Sequence, residues 1–297
     1  MKINCCWLYA ISKYGYPPSV EDALNAFRDM ARLGFRHVEL EGVGEENLTA
    51  VYERRHEFKS LADDLGLRVV NFCPILSDLV SPEAKKRRKA LDLFKLGVET
   101  AAFLGCETVQ TDSYTPPFSF IGEAPYKEMI NYGLEMRVRV PDGFSWQNTW
   151  DILVDAMARC ADLSADAGLR FCLEPRVGEL ISNTDAMLRL LAAVDSPWFG
   201  AVLDTAHQHA GKEILPLSVE KLGARIFYLH VADNNSQINE HLALGRGTID
   251  WDSVFTALKR YRFDGFVAID VGRVPDLDEQ ILESLRFLRG IEDKYCL

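Results

Sequence analysis

"AGLRFCLEP", residues 167–175, holds a helix stop, a strand and a terminal carboxylate in one short run. Gly168 can take the left-handed conformation that ends a helix and turns the chain back. The apolar residues Phe171 to Leu173 then read as a strand buried on both faces, and Glu174 closes it. The same helix stop recurs at Leu33-Gly34-Phe35, Leu65-Gly66-Leu67 and Leu104-Gly105-Cys106. Working outward, strands are expected at Ile3–Tyr9, His37–Leu40, Arg68–Cys73, Thr108–Thr111, Arg170–Glu174, Gly200–Asp204, Ile226–His230 and Phe266–Asp270. Helical patterns fall near 20–33, 45–65, 83–104, 148–167, 184–194, 214–222, 251–261 and 278–290. Ser19 with Asp22, Ser81 before Pro82, and Asn183 or Thr184 supply helix starts. Eight strand–helix units in 297 residues predict an α/β fold: one (β/α)8 TIM barrel over residues 1–297. The rival is a doubly wound open sheet, which usually carries a glycine-rich phosphate loop after its first strand. Here that place reads Leu8-Tyr9-Ala10-Ile11-Ser12.

Composition narrows the function. The net charge of −11 argues against a nucleic-acid surface. Seven cysteines, at 5, 6, 73, 106, 160, 172 and 296, show no paired spacing and predict a reduced cytoplasmic chain without a disulfide framework or a cysteine zinc site. The first residues do not read as a signal peptide, and no apolar run reaches the roughly 18 residues of a membrane span. The connection between Thr111 and the helix near Asn148 is far longer than the usual βα loop of about 2–6 residues. It carries Tyr114, Phe118, Phe120, Tyr126, Tyr132, Phe144 and Trp146. This insertion, 112–147, is expected over the barrel mouth after strand four, either as a lid or oligomer contact or as a packed surface excursion with its own short helix near 126–137.

Four late strands each close on one ionisable group: "RFCLEPR" on Glu174, "AVLDTAH" on Asp204, "FYLHVADN" on His230 and "FVAIDVG" on Asp270. In a barrel these positions converge on one mouth. Three carboxylates brought together would repel one another and resist ionisation. A single divalent cation resolves the conflict, since three oxygens and one imidazole suit Mn²⁺, Mg²⁺, Co²⁺ or Zn²⁺. His207, just past Asp204, is placed to touch whatever the metal holds. Any one of these carboxylates alone is more often a helix N-cap or a surface ion pair than a ligand; what favours a ligand set is that all four groups close successive strands.

These motifs resemble the sugar isomerase/epimerase superfamily of xylose-isomerase-like barrels, which includes ketose 3-epimerases and inosose dehydratases. The resemblance runs over nearly the whole chain. It is strongest at Leu173-Glu174-Pro175, Asp204-Thr205-Ala206-His207, His230-Val231-Ala232-Asp233-Asn234 and Gly245-Arg246-Gly247-Thr248-Ile249-Asp250-Trp251. It implies one divalent ion, Mn²⁺ first, held by Glu174, Asp204, His230 and Asp270, with His207 on the substrate. Two departures stand out. The last ligand is commonly Glu, and here it is the shorter Asp270. The residue between the glycines is commonly acidic, and here it is Arg246, which points to an anionic substrate group or to a surface ion pair.

Further substrate contacts are expected from His241, Arg176, Glu179 and Glu41, with Trp7 and Tyr9 excluding water. His209 is expected beside the site, His37 in the structural floor, and His56 and the run Lys85 to Lys89 in solvent. The resemblance implies a cytoplasmic isomerase or epimerase that takes a proton next to the carbonyl of a keto sugar or polyol, through an enediolate. Glu174 and Asp270 are the catalytic pair, with Glu174 the main base. The partner is a small sugar or polyol, with no nucleic acid or membrane, and a homo-oligomer is compatible. The alternatives are a metal-dependent dehydratase or lyase on the same scaffold, and a non-catalytic barrel binding a sugar or a partner. An apurinic endonuclease would need three zinc ions and a basic face.

Overall fold

The computed structural model describes residues 1–121 and 137–295. Eight parallel strands close into a barrel: β1 Lys2–Cys5, β2 His37–Val43, β3 Arg68–Ile75, β4 Thr108–Asp112, β5 Arg170–Glu174, β6 Phe199–Asp204, β7 Ile226–Val231 and β8 Phe266–Ile269. Neighbours in the ring are neighbours in sequence, and β8 closes on β1 through Lys2↔Phe266 to Cys5↔Ile269. The expected barrel is therefore the fold. Glycines do the turning where expected: Gly66 and Gly105 end their helices in the left-handed region. Side chains of Ser19 and Asn183 cap their helices through the amides of Asp22 and Ala186.

Register sets the height of the site. Asp112 pairs with Glu174 across β4–β5, and Asp204 pairs with His230 across β6–β7. Asp112, Glu174 and Asp204 thus end three neighbouring strands, and His230 stands one residue before the end of the fourth. Below them the barrel interior is polar and internally bonded. Asn4 Nδ2 donates to Tyr228 Oη (2.7 Å), Asn71 Nδ2 to Gln110 Oε1 (2.8 Å) and Thr108 Oγ1 to Asn71 Oδ1 (2.8 Å). Such groups are tolerated in a core because each side chain finds a partner, although Asn4 Oδ1 has none. The apolar layer lies outside the strands, where Phe27, Phe58, Phe72, Phe94, Phe171 and Phe199 are fully buried beneath the helices.

Several boundaries differ from expectation. The first strand stops at Cys5, and Leu8–Tyr14 is a helix, because a short apolar run fits a buried helix as well as a strand. Trp7 and Tyr9 consequently turn away from the barrel mouth. Trp7 packs edge-on against Phe27 at 6.3 Å, and Tyr9 Oη donates to Asp278 (2.7 Å). The pattern 45–65 is two helices, Gly44–Glu53 and Arg55–Leu65, broken at Arg54. Ser81 is not the cap of the following helix: Glu83 occupies that place, and Ser81 Oγ accepts its amide. β2 runs on to Val43, so Glu41 lies within the strand.

The long connection after β4 contains an antiparallel pair, Ser119–Phe120 with Val138–Arg139, and an edge-on Phe118–Phe144 contact at 5.0 Å. Trp146 begins the next helix, Trp146–Asp166, which Ser145 caps. The short helix expected near 126–137, with Tyr126 and Tyr132, falls almost wholly outside the described residues. No helix among the described residues is long and apolar enough to cross a membrane.

Candidate metal centre and cavity

The stretch "VLDTAHQHAG", residues 202–211, shows how a strand can end in a charge. Asp204 is the last residue of β6 and the N-cap of the short helix Thr205–Ala210. Its Oδ1 accepts the amides of Ala206 (2.7 Å) and His207 (3.0 Å). Its Oδ2 is buried with no hydrogen-bond partner. Burial opposes ionisation, but the His207, His241 and His230 rings outweigh it and hold the Asp204 carboxyl below its ordinary range.

The Asp204 carboxylate belongs to a cluster. One donor atom each from Glu174, Asp204, His230 and Asp270 lies within 4.8 Å of every other, and all four residues are buried. His230 Nδ1 is 2.8 Å from Glu174 Oε1 and 4.0 Å from Asp270 Oδ2. Burial pushes the carboxyls of Glu174 and Asp270 up, against the pull of His230 and of His241 with His230 respectively. Three oxygens and one imidazole, one oxygen left wanting, fit a divalent cation. The sequence-predicted ligand set is thus brought together by the fold.

Glu39 was not anticipated. His230 presents Nε2 to Glu39 Oε1 at 3.2 Å, and Glu39 is itself held by Trp7 N–H (3.0 Å) and Asn4 Nδ2 (3.4 Å). An imidazole that donates Nε2–H to this carboxylate leaves Nδ1 bare toward Glu174 and Asp270, as a metal ligand must. The signal was present in "HVELEGV", where Glu39 and Glu41 alternate with Val38 and Leu40. Cys6 is the other unanticipated neighbour, with Sγ 4.0 Å from His230 Nε2.

A cavity of about 230 Å³ opens beside the cluster and is lined by Glu174, His230 and Asp270. His207, His241, Arg176, Glu179 and Glu41 also line it. Val177 N–H donates to His207 Nδ1 (3.2 Å), which places the proton of the neutral ring on Nε2. Burial keeps that ring well below its ordinary pKa, Asp204 notwithstanding. His241 Nδ1 donates to Asp270, at 2.8 Å from its carbonyl and 2.9 Å from Oδ2. Arg176 pairs with Asp112. Ser113, Tyr114 and Thr115, at the start of the long connection, line the cavity as well.

Arg246 is not brought there. It is exposed and pairs with Glu283 (2.9 and 2.7 Å). The glycine motif around it is a brace for Asp233, whose Oδ1 accepts the amides of Asn234 (2.9 Å) and Ile249 (3.2 Å). Its Oδ2 accepts Gly245 N–H and Trp251 Nε1–H, both at 2.9 Å. A Cβ on Gly247 would collide with the Asp233 carboxylate and the Asn234 carbonyl, so the glycine is needed for this packing. His209 bonds Thr248 Oγ1 (2.9 Å), and His37 bonds the Ile3 carbonyl (3.3 Å), both outside the cavity lining.

Residues 27–291 match the family described as "Xylose isomerase-like TIM barrel". The chain belongs to that family. It is 21% identical to an inosose dehydratase of Clostridium botulinum (strain Alaska E43 / Type E3), over 88% of this chain and 95% of the relative. It is 20% identical to the fructoselysine 3-epimerase of Shigella flexneri, over 83% and 84%. In fold it is similar to D-psicose 3-epimerase from Clostridium cellulolyticum H10, solved with D-tagatose, at a TM-score of 0.73 and 19% identity over 98% of this chain and 99% of that one. Relatives thus include epimerases and dehydratases, and the cluster has the make-up of a divalent-metal site.

Proposed function

We propose that this chain is a divalent-metal-dependent sugar epimerase or isomerase that removes a proton next to the carbonyl of a keto sugar or related polyol. The supporting observation is the four-donor cluster with the unpartnered Asp204 Oδ2, opening on a polar cavity. Glu174, Asp204, His230 and Asp270 would hold the ion, with Mn²⁺ the first choice. A cation held there supplies a Lewis acid that favours negative charge on the substrate oxygens. Glu174 takes the proton. Asp270 is mainly a ligand, because it is one methylene shorter than Glu and its Oδ2 already accepts from His241 at 2.9 Å. Proton transfer needs hydrogen-bond range, about 2.6–3.2 Å. His207 offers an Nε2–H to a substrate oxygen, and His241, Arg176, Glu179 and Glu41 orient the hydroxyls. Ser113, Tyr114 and Thr115, at the start of the segment 112–147, border the same cavity.

The same asymmetry favours a second reading. Dehydration can proceed from one base on one face, and Glu174 alone would serve it; the inosose dehydratase relative spans most of the chain.

Exchange in D₂O separates these readings. The Mn²⁺-loaded protein is incubated with a panel of ketoses and followed by NMR. Deuterium is expected at the carbon beside the carbonyl. Glu174→Gln should abolish it with metal still bound, and Asp270→Asn, if it keeps metal, should retain some. Loss of water from the substrate would select the dehydratase. Neither exchange nor turnover across the panel would leave a non-catalytic barrel. Retained exchange in Glu174→Gln with loss in metal-bound Asp270→Asn would reverse the roles.

A further inference from the structure

The cavity holds more carboxyl groups than a single cation answers. Glu174, Asp204 and Asp270 belong to the metal cluster, and Glu39 is engaged by His230. Three more carboxylates remain: Glu41, Asp112 and Glu179. They lie toward the mouth. Glu41 is two residues further along β2 than Glu39, Asp112 ends β4, and Glu179 stands in the loop beyond β5. Among the described lining residues the arginines are Arg176 and Arg273. Arg176 is paired with Asp112. Arg273 is exposed at the rim, and its amide bonds Ser12 Oγ.

Two oxygens in this group have no hydrogen-bond partner, Glu41 Oε2 and Glu179 Oε2. Glu179 is only 8% exposed. Burial pushes the Glu179 carboxyl up to about 8 although Arg176 opposes it, and burial with Asp112 and Glu39 pushes Glu41 up too. A carboxylate taken from water without a partner is costly. A ligand that brings N–H donors and positive charge removes that cost. One that brings phosphate or carboxylate adds repulsion in a low-dielectric site.

We infer that the substrate is an amino-substituted keto sugar or polyol, its ammonium or amine seated between Glu41 and Glu179, and that sugar phosphates are excluded. This rests on the sugar-directed reading above and adds the charge class of the substrate. Hydroxyl contacts alone would not discriminate an amine from a neutral sugar, whereas two carboxyl groups that each keep one oxygen without a partner do.

The test is binding, with turnover kept separate. The Mn²⁺-loaded full chain is titrated by calorimetry with D-fructose, 6-amino-6-deoxy-D-fructose and D-fructose 6-phosphate. The amine is expected to bind about tenfold tighter than fructose and the phosphate about tenfold weaker, the scale of one desolvated charge contact. In Glu41→Gln and Glu179→Gln, which keep shape and remove charge, the amine preference should shrink to about threefold or less. Thermal melting verifies that each variant is folded, and either one suffices for the comparison. Equal or tighter binding of the phosphate overturns the inference. So does a full amine preference that survives both variants, or binding of none of the three probes. An amine preference without proton exchange on any ketose would leave this inference standing while the epimerase reading fails. Exchange without the preference would do the reverse.

Discussion

Asp204, the last residue of β6, and Asp233, two residues past the end of neighbouring β7, are both fully buried aspartates, and they do opposite things. Asp233 spends both oxygens on four N–H donors and ties residues 245–251 to the barrel. Asp204, grouped with two more carboxylates and an imidazole, spends one oxygen on a helix start and leaves the other without a partner. A buried charge that is fully bonded holds structure; one that is half-bonded awaits a ligand. Burial is the same for both, so hydrogen-bond satisfaction is what separates them.

The largest expected effect would come from Asp233. In Asp233→Ala three buried donors and the Gly245 amide, whose bond is only half-buried, lose their acceptor at once, and each buried one costs about 1–3 kcal/mol. Unfolding by denaturant of the metal-free protein should show a loss of at least about 4 kcal/mol. A loss under about 1 kcal/mol would break the contrast, because the bonds around Asp233 would then be incidental.

Asp204→Asn should behave in the opposite sense. Asparagine keeps the capping oxygen for Ala206 and His207, so metal-free stability should stay within about 1 kcal/mol of the parent. It lacks the charge a cation needs. Added Mn²⁺ at a hundred times its dissociation constant stabilises a single-site protein by about 2.7 kcal/mol. That gain should be present in the parent and absent in Asp204→Asn, measured as the shift in melting on adding Mn²⁺. An equal shift in both proteins would remove Asp204 from the ligand set.

Glu39 sharpens the contrast from a third direction, as a carboxylate that acts through another residue. Glu39→Leu removes the acceptor for His230 Nε2–H and frees the ring to change tautomer. Partners of this kind are worth about 10–100-fold in metal affinity. Calorimetric Mn²⁺ titration should show that loss. Glu39→Gln, whose amide oxygen can still accept from Nε2–H, should recover most of it. Equal losses in the two variants would mean that Glu39 acts by charge alone.

How much of this could be read beforehand depends on where the decisive partner lies. The barrel was legible because its signals are local: a glycine that turns the chain back, then an apolar run, again and again. Glu174, Asp204, His230 and Asp270 were legible because each closes such a run. Glu39 was not, since it sits inside a strand, and only its alternation with Glu41 hints that both point inward. The difference between Asp204 and Asp233 could not be read at all, because it lies in amides 12 to 16 residues further on that close on Asp233 only after folding. The end of β1 was misread for a related reason. "Cys6-Trp7-Leu8-Tyr9" is apolar in either conformation, and packing of Trp7 on Phe27 and of Tyr9 on Asp278 selects the helix.

The smallest expected effect concerns Arg246, which stands in the motif that Asp233 organises. Its position between two glycines suggested a hand on an anionic substrate. The fold instead puts it at 47% side-chain exposure against Glu283, itself 38% exposed. An ion pair of that kind contributes about 0–1 kcal/mol, since water screens it and two long side chains must be ordered. Arg246→Ala should therefore change stability by less than about 1 kcal/mol. Mn²⁺ affinity and the binding of D-fructose should both stay within about twofold of the parent, on the same argument. The neighbouring Gly247→Ala, with a Cβ driven into the Asp233 carboxylate, should by contrast cost several-fold more, about 2–4 kcal/mol, in the same unfolding measurement. If Arg246→Ala weakened sugar binding tenfold or more, the loop would be part of the binding surface. Asp233 would then serve the cavity as well as the frame, and the line drawn between the two aspartates would have to move.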